Sequence, residues 1–431
     1  MFSIRPRDAA WLLSVCSAKG FMMDRRLLVL ALGMFALGTD SFVVAGILPQ
    51  ISHAFHASIG AAGQMTTAYA LTYALLAPTI AALAAGVPRK RLMLIGLGLF
   101  VVSNLATTLA PSLGLALLSR VLAGVGAATF SPTATGAGAM LVPPERRGFA
   151  LSVIVAGLTT ATALGSPIGA VIGGLGDWRW TLMFVAALGA VAFIGVWALL
   201  PEMPLAPAIT LGKRIAPIAD ARVALTLATT LLAMSGIFTV YTYFSVVFDR
   251  AVGGQAIVLG VLLVMWGAAG TVSNLLAGRL IDSFGSHKVI VLMLGLLVID
   301  MTAFPWTSLH VWSAALAIAV WGACGWGILV PQQHRLVTLA PAIAPVLIGL
   351  NTAGTYFGVT AAGIIGAAAI PVVGGHRLGF VAAVLVAVAL LVSELATRRI
   401  MAASEHAKIC TAPAHGPSHL CKVVARSDVH N

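Results

Sequence analysis

Residues 27–49 read LLVLALGMFALGTDSFVVAGILP, an apolar run broken by a single charge, Asp40. A helix crosses the roughly 30 Å of bilayer hydrocarbon with about 20 apolar residues, so this run is long enough to span. Asp24, Arg25 and Arg26 precede it and Pro49 closes it, so the charged border lies at one end only. From Leu27 to Asp40 the helix rises about 20 Å, which places the carboxylate inside the hydrocarbon rather than at its edge. An ionisable group at that depth costs several kcal/mol unless it faces a cavity or a partner. The stretch therefore predicts both a membrane span and a functional residue, Asp40.

Similar runs recur along the chain. Spans are predicted at 27–48, 62–85, 92–110, 114–141, 149–174, 180–200, 222–246, 256–278, 288–307, 311–333, 342–370 and 378–396. Twelve spans of about 21 residues need about 252 residues; 60% of the 431 residues are hydrophobic, and only 9% are charged. Soluble domains carry roughly 25% charge. With a mean hydropathy of +1.02, the composition excludes a soluble enzyme, a disordered chain and a disulfide-stapled one. The predicted fold class is an all-α polytopic membrane protein, twelve transmembrane helices in two pseudo-symmetric six-helix bundles. The long polar break at 201–221, with Pro201, Pro204, Pro207 and Pro217, separates a 23–200 bundle from a 222–396 bundle, and 397–431 follows as a tail. Residues 1–22 read as a cytoplasmic lead-in or a start-site artefact, because Met22 and Met23 stand directly before the first span.

Lys and Arg set the orientation. Twenty-one of the 25 fall in the loops and ends on the side of the termini, only Arg179, Arg250 and Arg377 fall in the opposite loops, and Arg120 falls inside a span. By the positive-inside rule both termini are cytoplasmic, in a bacterial-type plasma membrane. The net charge of +12 then needs no nucleic-acid partner. Cys410, Cys421, His406, His415 and His419 of the tail read as scatter rather than as a zinc site, and no metal or cofactor is expected. No Gly-Lys-Ser/Thr phosphate cradle and no nucleophile–base constellation is found, so neither ATP hydrolysis nor another enzyme activity is expected.

Arg120 heads the motif Arg120-x-x-x-Gly124-x-Gly126 in span four. Counted from Gly114 it lies about 9 Å below the outer face, and Asp40 about 10 Å below it. Two readings are open. Either the two charges pair, which eases the burial of both and gives a proton or substrate something to compete for, or Arg120 snorkels to the outer headgroups. Span five carries Gly165, Ser166, Pro167, Gly169, Gly173 and Gly174, a small-residue stripe for close packing with a helix-bending proline; it is expected between the halves. The loop Gly278-Arg279-Leu280-Ile281-Asp282-Ser283-Phe284-Gly285 predicts a tight turn, with Asp282 capping the next helix or pairing with basic groups. Span four (Gly126 to Pro132) and span ten (Gly325 to Pro331) share one Gly–Pro spacing, the mark of a two-fold repeat with the substrate site between the halves. Asp300 is a second candidate for titration. Tyr69, Tyr73, Phe238, Tyr241, Tyr243, Asn274, Asn351 and Tyr356 are candidates for the cavity wall, although intramembrane aromatics also serve plain packing.

These segments resemble the major facilitator superfamily, and within it the twelve-span drug:proton antiporter branch, including arabinose- and chloramphenicol-exporter-like members. Gly278 to Lys288 looks like the family's signature loop, Arg120 to Gly126 like its span-four motif, Gly165 to Gly174 like the exporters' span-five motif with Ser166 in place of the usual glycine, and Gly38 to Pro49 like the span-one motif with Ser41 where relatives often carry a second acid. The resemblance implies proton-coupled export of a small organic molecule by alternating access, with Arg120 in proton coupling. Its partners would be substrate, protons and the lipid bilayer, and the chain would act as a monomer. A symporter or facilitator importing a sugar or nucleoside, and a membrane receptor without transport, are the competing readings; the first differs in the direction of flux, the second would need a signalling partner.

Overall fold

Asp24 accepts the Arg26 N–H at 2.9 Å and caps the first helix. In the computed structural model, which describes residues 24–143, 146–203 and 210–411, twelve long helices follow in sequence. They are α1 (Arg25–Val43), α2 (Ile59–Leu83), α3 (Arg89–Thr108), α4 (Leu113–Gly138), α5 (Arg147–Leu175), α6 (Trp178–Leu199), α7 (Ala221–Thr242), α8 (Ala256–Phe284), α9 (Ser286–Thr307), α10 (Val311–Leu339), α11 (Ala344–Val373) and α12 (Leu378–Thr411). Among the described residues, eleven such segments are long and apolar enough to cross a bilayer. α2 is a further 25-residue helix without a charged side chain. Residues 1–22, Cys421, His415, His419 and the side chains of His406 and Cys410 lie outside the described residues.

The helices outrun the expected spans where the sequence turns polar, because a backbone that has entered a helix keeps its hydrogen bonds by continuing. α8 extends six residues past 278 to Phe284, α10 six past 333 to Leu339, and α12 continues through Thr411 where a tail was expected from 397. The central break is not wholly irregular either, since it holds a short helix, Leu211–Ile215. The α8–α9 turn is a single residue, Gly285, at φ +80° and ψ 152°, a conformation that excludes a Cβ. Asp282 is exposed and α9 has no side-chain cap, so the expected capping role falls away. The turn is held instead by Ser286 Oγ against His334 Nδ1 and by His287 Nε2 against Glu394 Oε1, each at 2.8 Å.

The repeat is visible in the helix ends and in the packing. Matching ends fall 198–201 residues apart: Val43 and Thr242, Leu83 and Phe284, Thr108 and Thr307, Leu175 and Val373. In the first half α1 packs on α5 and α6, α4 on α2 and α3, and α3 on α6; in the second, α7 packs on α11 and α12, α10 on α8 and α9, and α9 on α12. Across the halves α2 meets α11 and α5 meets α8, again a symmetric pair. Pro331 interrupts α10 after Gly327 by removing the bond to that carbonyl, whereas the matching Pro132 sits inside an unbroken α4. Large apolar side chains such as Leu109, Leu275 and Trp312 stand exposed around the outside, the belt that faces lipid.

Candidate functional site: a buried ion pair beside an aromatic closure

Asp40 and Arg120 form an ion pair, Oδ1 to Nη1 at 2.7 Å, and neither side chain has any exposure. The equal depths read from the helix ends thus correspond to contact, and Arg120 does not snorkel. The same Nη1 donates to Asn104 Oδ1 at 3.2 Å, and Nη2 donates to the Asp40 backbone carbonyl at 3.4 Å. The guanidinium also lies over the ring of Tyr69, 4.8 Å from its centroid, a favourable place for a desolvated cation. Asp40 Oδ2 is buried with no hydrogen-bond partner among the described residues. Every electrostatic contact here is strengthened by the dry surroundings.

Asn104 is the member of this cluster that sequence reasoning missed. It reaches Arg120 because α3 and α4 approach backbone to backbone. A Cβ on Gly96 would lie 2.9 Å from the Gly126 carbonyl oxygen, and one on Gly126 would lie 2.6 Å from that of Gly96. The Asn104 amide donates to the Phe100 carbonyl at 3.0 Å, which turns its oxygen toward the arginine.

Among the described residues the cluster has no counterpart in the second half. The 199-residue offset that relates Thr108 to Thr307 brings Asp40 onto Thr239 and Arg120 onto Ala319. Asp300, on the helix that matches α3, meets no arginine; its Oδ2 is buried without a hydrogen-bond partner among the described residues, and it is not brought to Asp40 or Arg120.

Two residues beyond Asp40, Phe42 starts a cluster of rings that joins the halves. It stacks on Phe238 at 5.7 Å and meets Tyr241 and Trp326 edge-on at 5.8 and 5.9 Å. Tyr241 packs on Trp266 at 4.4 Å, and Trp321, Phe244 and Phe248 extend the cluster. Trp266 and Trp321 were not singled out from sequence, where an isolated tryptophan in a span has no distinguishing mark. The Tyr241 hydroxyl lies 3.1 Å from Ser166 Oγ and donates to the Phe42 carbonyl at 3.3 Å, so it ties α7 to both α5 and α1. Ser166, the departure from the exporter pattern, therefore has its own partner across the halves.

The other expected residues divide. Tyr73 stacks on Tyr356 across the halves at 4.0 Å and donates to Ser131 Oγ at 3.0 Å. Asn351 does not face a cavity: it is buried within the second half, accepting from Thr230 at 2.8 Å. Gly165 and Gly169 face Thr39 and Val43 of α1, within their own half, and not the other half as expected. The small-residue period fixes a face of the helix but not which neighbour meets it. The face of α5 that meets α8 carries Ala163, Val171 and Gly174, against Gly267, Gly260 and Ala256. Pro167 follows a π-helical stretch, Ala161–Gly165, and opens the next α segment, where its missing N–H is not needed. Gly278 is exposed, with open space where a side chain would stand. The contacts between halves thus run from mid-membrane to the end opposite the termini: Ala163–Gly267 to Gly174–Ala256 on one side, and Tyr73–Tyr356, Thr67–Gly363 and Gly60–Ala367 on the other.

Two equivalent six-helix sets joined at one end, the first of them holding a buried ion pair, have the architecture of a multi-pass membrane transporter. The Major Facilitator Superfamily model matches residues 30–344. The chain belongs to that superfamily. It is 29% identical over 364 residues to the inner membrane transport protein YdhP of Escherichia coli strain K12, covering 82% of this chain and 93% of that protein. It is 28% identical over 359 residues to a probable sugar efflux transporter of Helicobacter pylori strain J99, covering 83% of this chain and 91% of that protein. The crystal structure of the nucleoside transporter NupG superposes with a TM-score of 0.70 at 13% identity, covering 87% of this chain and 99% of that one; at that identity the likeness concerns the fold.

Proposed function

We propose that the chain is a proton-coupled exporter of the drug:proton antiporter type, with Asp40 the proton-binding group and Arg120 its alternating partner. The observation that carries this reading is the fully buried Asp40–Arg120 pair with one carboxylate oxygen unpartnered. A proton added to that oxygen cancels the carboxylate charge and frees the guanidinium. Asn104, the residue 40 carbonyl and the Tyr69 ring already contact Arg120 and remain when the carboxylate charge is cancelled, so the burial of its charge stays partly compensated. Phe42 lies half a turn from Asp40 and carries the carbonyl that Tyr241 holds. Movement of α1 at Asp40 therefore acts on the closure between the halves.

With the termini cytoplasmic, as the Lys and Arg distribution favours, the joined end is the outer one and the described arrangement faces inward. The substrate is a small organic molecule, and the sugar named for the Helicobacter relative is one class to test. Proteoliposomes with an imposed inward-acid gradient would be given antibiotics, sugars and nucleosides in turn. Substrate-triggered collapse of the gradient in the wild type and its loss in Asp40→Asn is the expected result. Substrate flux without proton movement would point to a facilitator, and coupling intact in Asp40→Asn would move the role to Asp300.

A further inference from the structure

Among the described residues, three Lys and Arg lie at the end opposite the termini: Arg179, Arg250 and Arg377. Arg179 is neutralised by Asp177 at 3.3 Å. The other two converge on one cleft of about 820 Å³. Among the described residues Asp177 and Asp249 are the acids in the connections at this end, and Asp249 is taken by His376 Nε2 at 2.6 Å. Neither Arg250 nor Arg377 has a carboxylate within ion-pair distance among the described residues. The remaining wall of the cleft is apolar and open: Trp306 and Val372 are 62% and 82% exposed, and Phe380 packs edge-on against Trp306 at 5.9 Å.

The position selects the ligand. The wall residues belong to the ends of α9, α11 and α12, and neither α9 nor α12 takes part in the main packing between the halves. The cleft therefore opens on the lipid-facing periphery and not on the substrate path. Two guanidiniums without a carboxylate partner among the described residues, beside exposed aromatic and aliphatic side chains from the last turns of α9 and α11 and the first turn of α12, match one amphiphile. We propose that this cleft binds the phosphodiester headgroup of an anionic phospholipid, with Arg250 and Arg377 on the phosphate and Trp306, Val372 and Phe380 along the chains. A bound lipid ties the α11–α12 turn to the Asp249–Val252 helix, which follows directly on Phe248 of the aromatic closure.

The test uses the full chain in vesicles of phosphatidylcholine with a rising fraction of brominated phosphatidylglycerol or brominated phosphatidylcholine. The Trp306 signal is the fluorescence difference between the wild type and Trp306→Phe. A basic residue near a membrane surface contributes about 1 kcal/mol toward anionic lipid, so the pair is expected to give on the order of a thirtyfold preference for the phosphatidylglycerol probe. The double variant Arg250→Gln/Arg377→Gln should lose that preference, and Arg250→Lys/Arg377→Lys should keep most of it. Equal quenching by the two lipids in the wild type, or a preference that survives in the Gln variant, overturns the proposal. Relief of the quenching by millimolar glycerol phosphate also overturns it, because the site would then hold a soluble phosphate. None of these readouts depends on transport, so they stand apart from the test of proton coupling.

Discussion

Asp40→Asn keeps the shape of the side chain and an oxygen facing Arg120, and removes only the charge. Arg120 would be left as a cation with no exposure, held by the Asn104 oxygen at 3.2 Å, the residue 40 carbonyl at 3.4 Å and the Tyr69 ring at 4.8 Å. Removing one partner of a buried pair costs about 3–5 kcal/mol, and a desolvated cation–π contact returns up to about 2 kcal/mol. Part of that contact is already present in the wild type, so the expected loss is about 3 kcal/mol. The double variant Asp40→Asn/Arg120→Gln has no buried charge at this site and should recover at least ~2 kcal/mol of it as a coupling energy. The assay is equilibrium unfolding of the purified protein in mixed micelles, with the wild type, both single variants and the double variant completing one cycle. A loss below about 1 kcal/mol in Asp40→Asn, or a double variant no better than the sum of the singles, would refute the idea that the two charges compensate each other in a dry interior.

Tyr241→Phe removes the hydroxyl that reaches Ser166 and the Phe42 carbonyl while leaving the ring stack in place. Each lost bond is worth about 1 kcal/mol, so the joined end should open more often; a cysteine placed in the closure should react with a membrane-impermeant maleimide several-fold faster, and an unchanged rate would remove these bonds from the closure. Asp220 caps α7, accepting the Arg222 N–H at 2.8 Å, and hydrogen bonding from the Arg222 side chain holds its carboxyl below the ordinary carboxylate value. A lowered folded-state value means its contribution is present above the unfolded value of about 4 and is lost as the pH falls through the folded one. The stability difference between the wild type and Asp220→Asn should therefore be flat from pH 7 to about 5 and shrink below about 4. A difference that grows in acid would show that Arg222 is not its partner.

Asp40 and Arg120 were legible because depth in a membrane can be counted along a helix from its ends, and two charges at one depth have few other ways to be satisfied. Asn104 was not legible. Its role depends on how closely α3 approaches α4, and that is set by Gly96 and Gly126, which must be matched across two helices before either means anything. Asn351 illustrates the converse: a polar residue in a span reads as a cavity residue until its neighbour is known, and here the neighbour is Thr230. The span-five small residues divide: Gly165 and Gly169 meet α1, whereas Gly174 meets Ala256 of α8, since a period of four carries no information about what stands opposite. The twelve helices and their repeat were legible throughout, because hydropathy reports the solvent of each segment directly.

The one-sided placement of Asp40 and Arg120, with Thr239 and Ala319 at the matching places, has an electrical consequence for the proposed cycle. While paired, the two side chains sum to zero, so a rocking movement of the first half carries none of their charge through the membrane field. Once a proton sits on Asp40 the same movement carries one positive charge, and a full crossing at 100 mV is worth about 2.3 kcal/mol. With an uncharged substrate, voltage would then drive the protonated leg and leave the unprotonated, substrate-carrying leg untouched, and currents recorded after rapid acidification should show that rectification.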